Sequence, residues 1–166
     1  MIELLAAAHA DALLRVAGDP ELSRTSSVPT RCEAAHVASW IADNEAHPRQ
    51  SVTFAILDNG VVSGAVTLKM LDSPDNSGEL AFWVGREHRG RGLARKAAEE
   101  AVRYAFDFLA VDYVHAHCLR DGNPASRKTL ESIGFALDKF RTELPVEGRF
   151  TEWFPGDAWI FYRLDP

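Results

Sequence analysis

The stretch from Glu79 to Glu100 constrains the fold more than any other part of this chain. A short apolar run, ELAFWV, enters the basic, glycine-bearing turn HRGRGLA and continues into a long amphipathic segment. A strand that feeds a helix through such a turn builds a place to hold phosphate. The first backbone N–H groups of a helix have no intrahelical partner, and the aligned peptide dipoles add roughly half a positive charge there. Gly90 and Gly92 remove the Cβ atoms that would keep an anion away, and Arg89, Arg91, Arg95 and Lys96 bring cations to the same region. An ordinary strand-to-helix turn with a solvated basic rim would read the same way, so the motif needs a second signal.

Composition limits the alternatives. A chain of 166 residues, 46% hydrophobic and 25% charged, fits one domain over 1–166 with a sizeable core. No apolar run approaches the ~20 residues of a membrane span, and the N-terminus MIELLAAAHADALLR is too charged for a signal peptide, which implies no membrane and a cytoplasmic address. A net charge of −6 argues against a nucleic-acid partner. Cys32 and Cys118 lack metal-ligand spacing and read as reduced thiols, so no metal is expected.

Periodicity orders the rest. Helices are predicted from Ala7 to Ala17 and from Arg31 to about Glu45, with the loop SRTSSVPT between them. VTFAIL, the turn Asp58-Asn59-Gly60 and VVSGAVTLKM predict a β-hairpin, and GELAFWV a third strand. The helix after HRGRG places Leu93, Ala97, Ala98, Ala101, Val102, Ala105 and Phe106 on one side. DYVHAHCL is a strand. Asn123-Pro124 opens a short helix that Gly134 ends, and FALDKF and DAWIFYRL are the last strand candidates. This order predicts an α+β fold.

Two motifs then carry a family resemblance. Arg89-Gly90-Arg91-Gly92-Leu93-Ala94 matches a Q/R-x-x-G-x-G/A turn, and Asn123-Pro124-Ala125-Ser126 runs through Leu130 to Gly134-Phe135 like an N-x-x-[AS] helix ending in G-F. Together, with one helix and one strand between them, they make the chain similar to the GCN5-related N-acetyltransferase (GNAT) superfamily, most of all its Rim-type branch, which acetylates ribosomal-protein N-termini and many small amines. The resemblance implies a mixed, mostly antiparallel central sheet flanked by helices, with a splayed strand pair at the acetyl-CoA site. It also implies that Phe82, Trp83 and Val84 pair with the pantetheine arm, that residues 89–94 bind the pyrophosphate, and that Asn123 and Ser126 contact CoA. Glu79 is the candidate base and Ser126 the candidate partner of the departing sulfur. His115 and His117 are weaker base candidates. Many family members carry a tyrosine acid in the second helix, where this chain has Leu130.

The expectation is therefore direct acetyl transfer from acetyl-CoA to a primary amine, either a protein N-terminus or a small molecule. Two alternatives remain open: a non-catalytic acyl-CoA-binding module, and an unrelated phosphate-binding α/β protein. Neither the acceptor nor the oligomeric state can be read from the residues, although an exposed sheet edge or the tail hairpin could support a homodimer.

Overall fold

The period-two segments pair as their sequence requires, and the pairing sets the positions of everything else. The computed structural model describes all residues, Met1–Pro166. Its elements are β1 (Ile2–Leu4), α1 (Ala10–Ala17), α2 (Leu22–Thr25), α3 (Ala34–Ala46), β2 (Ser51–Asp58), β3 (Val61–Lys69) and β4 (Ser77–Val84), followed by α4 (Leu93–Asp107), β5 (Tyr113–Leu119), α5 (Pro124–Ser132), β6 (Ala136–Leu137), β7 (Glu143–Pro145) and β8 (Ala158–Leu164). The strands form one sheet in the order β1-β2-β3-β4-β5-β8-β6, with β7 also on β8. Only the β4–β5 pair is parallel. No helix is long and apolar enough to cross a membrane.

Asn59 and Gly60 take φ of 50° and 81° in the β2–β3 turn, a backbone that asparagine and glycine tolerate and that matches the twist of the flanking strands. A short first strand precedes the helices: Ile2, Glu3 and Leu4 pair with Ile56, Ala55 and Phe54. Glu100 of α4 holds it there, its carboxylate accepting from the Ile2 N–H at 2.9 Å.

The apolar stripe of α4 lies on one sheet face, where Ala97, Ala98, Ala101 and Ala105 pack against Phe54, Val66, Leu68, Leu80 and Val114. Alanines let the helix come close to the strands. Leu13 of α1 and Val37 of α3 cover the first half of the opposite face over Ala55 and Ala65. Asn44 pins α3: its Nδ2 donates to the carbonyls of Leu5 and Thr53 at 3.3 and 2.8 Å, and its Oδ1 accepts from the Thr53 N–H at 2.7 Å.

The structure departs from the sequence expectations at the irregular segments. The predicted first helix starts with a 3-10 turn at Ala7–His9, so α1 proper begins at Ala10. The segment read wholly as the loop SRTSSVPT begins inside the one-turn helix α2. FALDKF contributes only Ala136 and Leu137 to the sheet, because the Asp138 carboxylate accepts from the Phe140 and Arg141 N–H groups and turns the chain away. The turn-rich stretch after it holds a further short strand, β7.

Candidate functional site

The parallel contact between β4 and β5 lasts for three residue pairs, Ser77–Tyr113, Gly78–Val114 and Glu79–His115. Beyond Glu79 the strands part, while β4 stays paired with β3 as far as Val84. The Gly85 N–H donates to the Ser63 carbonyl of the β3 side at 2.9 Å. Backbone groups alternate in direction along a strand, so those of Val84, Phe82 and Leu80 face the other edge, the gap that β5 leaves. The Val84 carbonyl confirms the direction by accepting from Arg89 Nε at 2.9 Å.

At the end of this gap the chain turns into α4. Gly90 and Gly92 adopt φ of 77° and 73°, and a Cβ at either would meet nothing within 4 Å. Gly92 is therefore the left-handed N-cap of α4, with open space in front of the helix start. The arginines are less available than the sequence suggested. Arg89 is shared between the Val84 carbonyl and the Asp19 carboxylate, at 3.2 Å, and Arg91 pairs with Asp58 at 2.9 Å. Arg95 pairs with Glu99 along the helix. The uncommitted donors at this mouth are the backbone amides and the Lys96 ammonium, which forms no ion pair. Arg127, also basic and close in sequence to Asn123, is turned inward to the Arg120 carbonyl.

Helix α5 begins on the opposite side of the gap. Asn123 caps it through Oδ1, which accepts from the Ser126 N–H at 3.1 Å, and Pro124 occupies the first turn. Ser126 and Cys118 both line the inner cavity, and burial pushes the pKa of the Cys118 thiol up to about 11. Such a thiol stays protonated at neutral pH and is a poor nucleophile. Leu130 is fully buried, so the position that would hold a tyrosine supplies only packing.

These elements enclose two joined cavities. The larger, about 360 Å3, runs from Arg89 and Ala94 past Phe82, Val84, Asn123 and Ser126. The other, about 230 Å3, continues between β4 and β5 to Glu79, His117 and Trp159. Thr25, Ser26, Phe82, Trp83, Asn123 and Ser126 line both, making one continuous cleft. Of the residues singled out from sequence, Glu79, Phe82, Trp83, Val84, Arg89, Ala94, His117, Asn123 and Ser126 line the cleft, Gly90, Arg91, Gly92 and Leu93 lie at the helix mouth outside these walls, and His115 is buried without lining either cavity. Phe154 lines the larger cavity, whereas Trp153 is not among its walls.

Several wall residues were not legible. α2 and the segment after β7 roof the cleft together: the Arg24 guanidinium lies 5.0 Å above the Trp153 ring and 5.6 Å from Phe154, and Arg149 donates to the Ser26 and Val28 carbonyls. Nothing in the sequence brings these segments together. Lys69 was legible in principle, because the hairpin register sets it opposite Glu79, and its Nζ lies 3.4 Å from that carboxylate. On the other side His117 Nδ1 is 3.8 Å from the same oxygen. Burial moves the His117 pKa below its usual value, Glu79 partly opposing the shift.

Comparison with known proteins gives this arrangement a family. The description of an acetyltransferase (GNAT) domain matches residues 1–136. Among curated proteins, the chain is 34% identical over 94 residues to YdaF of Bacillus subtilis (strain 168), named as a candidate ribosomal N-acetyltransferase; the match covers 56% of this chain and 51% of YdaF, so the chain spans about half the length of that relative. The spermidine N-acetyltransferase from Vibrio cholerae, solved with CoA and spermine, superposes with a TM-score of 0.80 at 16% identity, covering 99% of this chain and 94% of the other. RimL, the ribosomal L7/L12 α-N-protein acetyltransferase solved with coenzyme A, gives 0.81 at 14% identity, covering 99% and 92%. At such identities the two structures speak for the fold. With the domain match covering most of the length, the chain belongs to the GNAT acetyltransferase family.

Proposed function

We propose that the chain, acting as one catalytic unit over 1–166, transfers acetyl from acetyl-CoA directly to a primary amine. The observation that carries this reading is the early parting of β4 and β5, which leaves the backbone edge at Phe82 and Val84 without a strand partner along a cleft that ends at the amide-lined start of α4. A pantetheine arm carries amides that can complete such an edge, and a diphosphate suits the helix mouth at Gly92. Backbone N–H groups aimed into the gap would also stabilise the oxyanion that forms when the amine attacks the thioester. Asn123 and Ser126 face the same cleft and would contact the cosubstrate near its sulfur. Glu79 and its neighbours in the smaller cavity would meet the acceptor's ammonium.

A Cys118 thiol held protonated by burial favours direct transfer over an acyl-enzyme. The acceptor is a protein N-terminus or a small amine, the two classes that the relatives' names span. Calorimetry with acetyl-CoA, followed by thiol release and product mass spectrometry against amines and N-terminal peptides, tests the reading. A second reading, a non-catalytic acyl-CoA-binding module, is favoured by the buried leucine at position 130 in place of a hydroxyl acid. It predicts tight CoA binding with no acetylated product from any acceptor.

A further inference from the structure

The smaller cavity holds one carboxylate, and that carboxylate is already engaged. Glu79 keeps only 12% of its side chain exposed and faces Lys69 at 3.4 Å. An alkylammonium with a reference pKa of about 10 must lose its proton before it can attack, and carboxylic acids, with reference values of about 4.3, accept that proton less readily than imidazole at about 6.5. An imidazole stands beside it. His117 follows the last paired residue of β5 by two positions, so it projects from the same face as His115 and Glu79 at the point where the strands separate. Trp159 meets the ring at 84° with centroids 5.2 Å apart, and Phe161 lies 5.6 Å away at 35°, which fixes the plane of the imidazole. Its Nδ1 is the nitrogen near Glu79, and 35% of the side chain stays open.

We propose that His117 Nε2 takes the proton from the acceptor ammonium, with Glu79, 3.8 Å from Nδ1, as the positioning residue whose charge stabilises the imidazolium; the assignment rests on the acetyl-transfer reading above. The step balances without a further reactant. The ammonium N–H bond breaks to His117, the freed lone pair forms the C–N bond at the thioester carbon while the carbonyl π pair moves to oxygen, and as that pair returns the C–S bond breaks, the second N–H proton of the adduct nitrogen passing to the departing thiolate to give the amide and the CoA thiol. His117 then returns its proton to solvent. The charged groups facing the ring are Glu79 from β4, Lys69 from β3 and Arg141 from the segment after β6, with His115 on its own strand. Burial and the two cations favour the neutral ring, which is the form a base requires, while Glu79 favours the imidazolium.

The test compares wild type, His117→Gln and Glu79→Gln on one amine, with kcat/KM followed from pH 5 to 9 and acetyl-CoA affinity measured separately. We expect His117→Gln to lower kcat by about 100-fold or more, to leave acetyl-CoA affinity unchanged, to abolish the acidic limb of the profile, and to regain part of its rate with added imidazole. Glu79→Gln should keep the limb but move it to lower pH, since the carboxylate that favours the imidazolium is gone. A limb unchanged in His117→Gln and lost in Glu79→Gln would overturn the assignment and leave acetyl transfer intact. Wild type that binds acetyl-CoA yet acetylates no amine would overturn both.

Discussion

Replacing Gly92 by glutamate puts a negative charge and a side chain at the α4 N-cap, and its effect can be separated into two parts. The first is conformational. Gly92 sits at φ 73°, where any L side chain is strained by about 1–2 kcal/mol, so Gly92→Ala should lower Tm by roughly 2–8 °C for a chain of this length. A Cβ there meets nothing within 4 Å, so no steric term is added in the unliganded protein. The second part is electrostatic and appears only with ligand. A carboxylate about 6 Å from a diphosphate bearing two charges costs roughly 1.4–5.5 kcal/mol for effective dielectrics between about 80 and 20, equivalent to about ten-fold to ten-thousand-fold in Kd. Titration calorimetry of CoA against the alanine and glutamate variants isolates this term, since both carry the same backbone strain. The gap between them should shrink as salt rises, because exposed charges are screened. A folded Gly92→Glu that binds CoA as tightly as Gly92→Ala would refute the placement of the diphosphate at this helix.

Two stability measurements probe the scaffold. Asn44→Ala strands the buried Thr53 N–H and takes a donor from the Leu5 and Thr53 carbonyls, the latter keeping its bond from the Leu5 N–H, an expected loss of about 3 kcal/mol and a drop in Tm of about 6–12 °C; a change near zero would mean that α3 is held by its apolar face alone. His115 is buried with its Nδ1 unpartnered, and burial lowers its pKa. Below its reference value of about 6.5 the unfolded chain therefore binds more protons than the folded one, so stability present above that pH is lost as pH falls. Melting curves between pH 7.5 and 5 should show a steeper decline for wild type than for His115→Phe, and equal slopes would remove this explanation.

Much of the scaffold could be read from residue patterns because the patterns are local. The Asn59-Gly60 turn is specified by residues that tolerate positive φ, and the stripe from Leu93 to Ala105 reports the α4 face directly. The helix starts at Gly92 and Asn123 are cap chemistry written in a few adjacent letters. What escaped depends on contacts between distant segments. β7 is three residues long, with Pro145 at its end, and exists only because β8 offers an edge. FALDKF alternates well enough for a longer strand, but an Asp138 turn stops it after two residues. Within the site, Glu79 and Ser126 could be picked out by position, whereas the commitment of Arg89 to Asp19 and of Arg91 to Asp58 joins side chains from separate parts of the chain, so the cations at the helix mouth looked freer than they are. The aromatic pair Trp153-Phe154 stands out in the turn-rich tail as a candidate pocket wall, whereas its meeting with Arg24, and that of Arg149 with the Ser26 and Val28 carbonyls, joins segments far apart in the chain.

The seam in the middle of the sheet has a bearing on how this chain avoids misassembly. A strand flank with unsatisfied amides invites a foreign strand to dock, and proteins commonly blunt their outer rims for that reason. Here the outer rims are a three-residue strand on one side and short, interrupted strands with a proline on the other. The longest free flank, along Phe82 and Val84, lies indoors beneath two roofing segments. The roof leaves room for a slender chain end to enter but screens the flank from edge-to-edge pairing with a second sheet, so one arrangement serves access and solubility together.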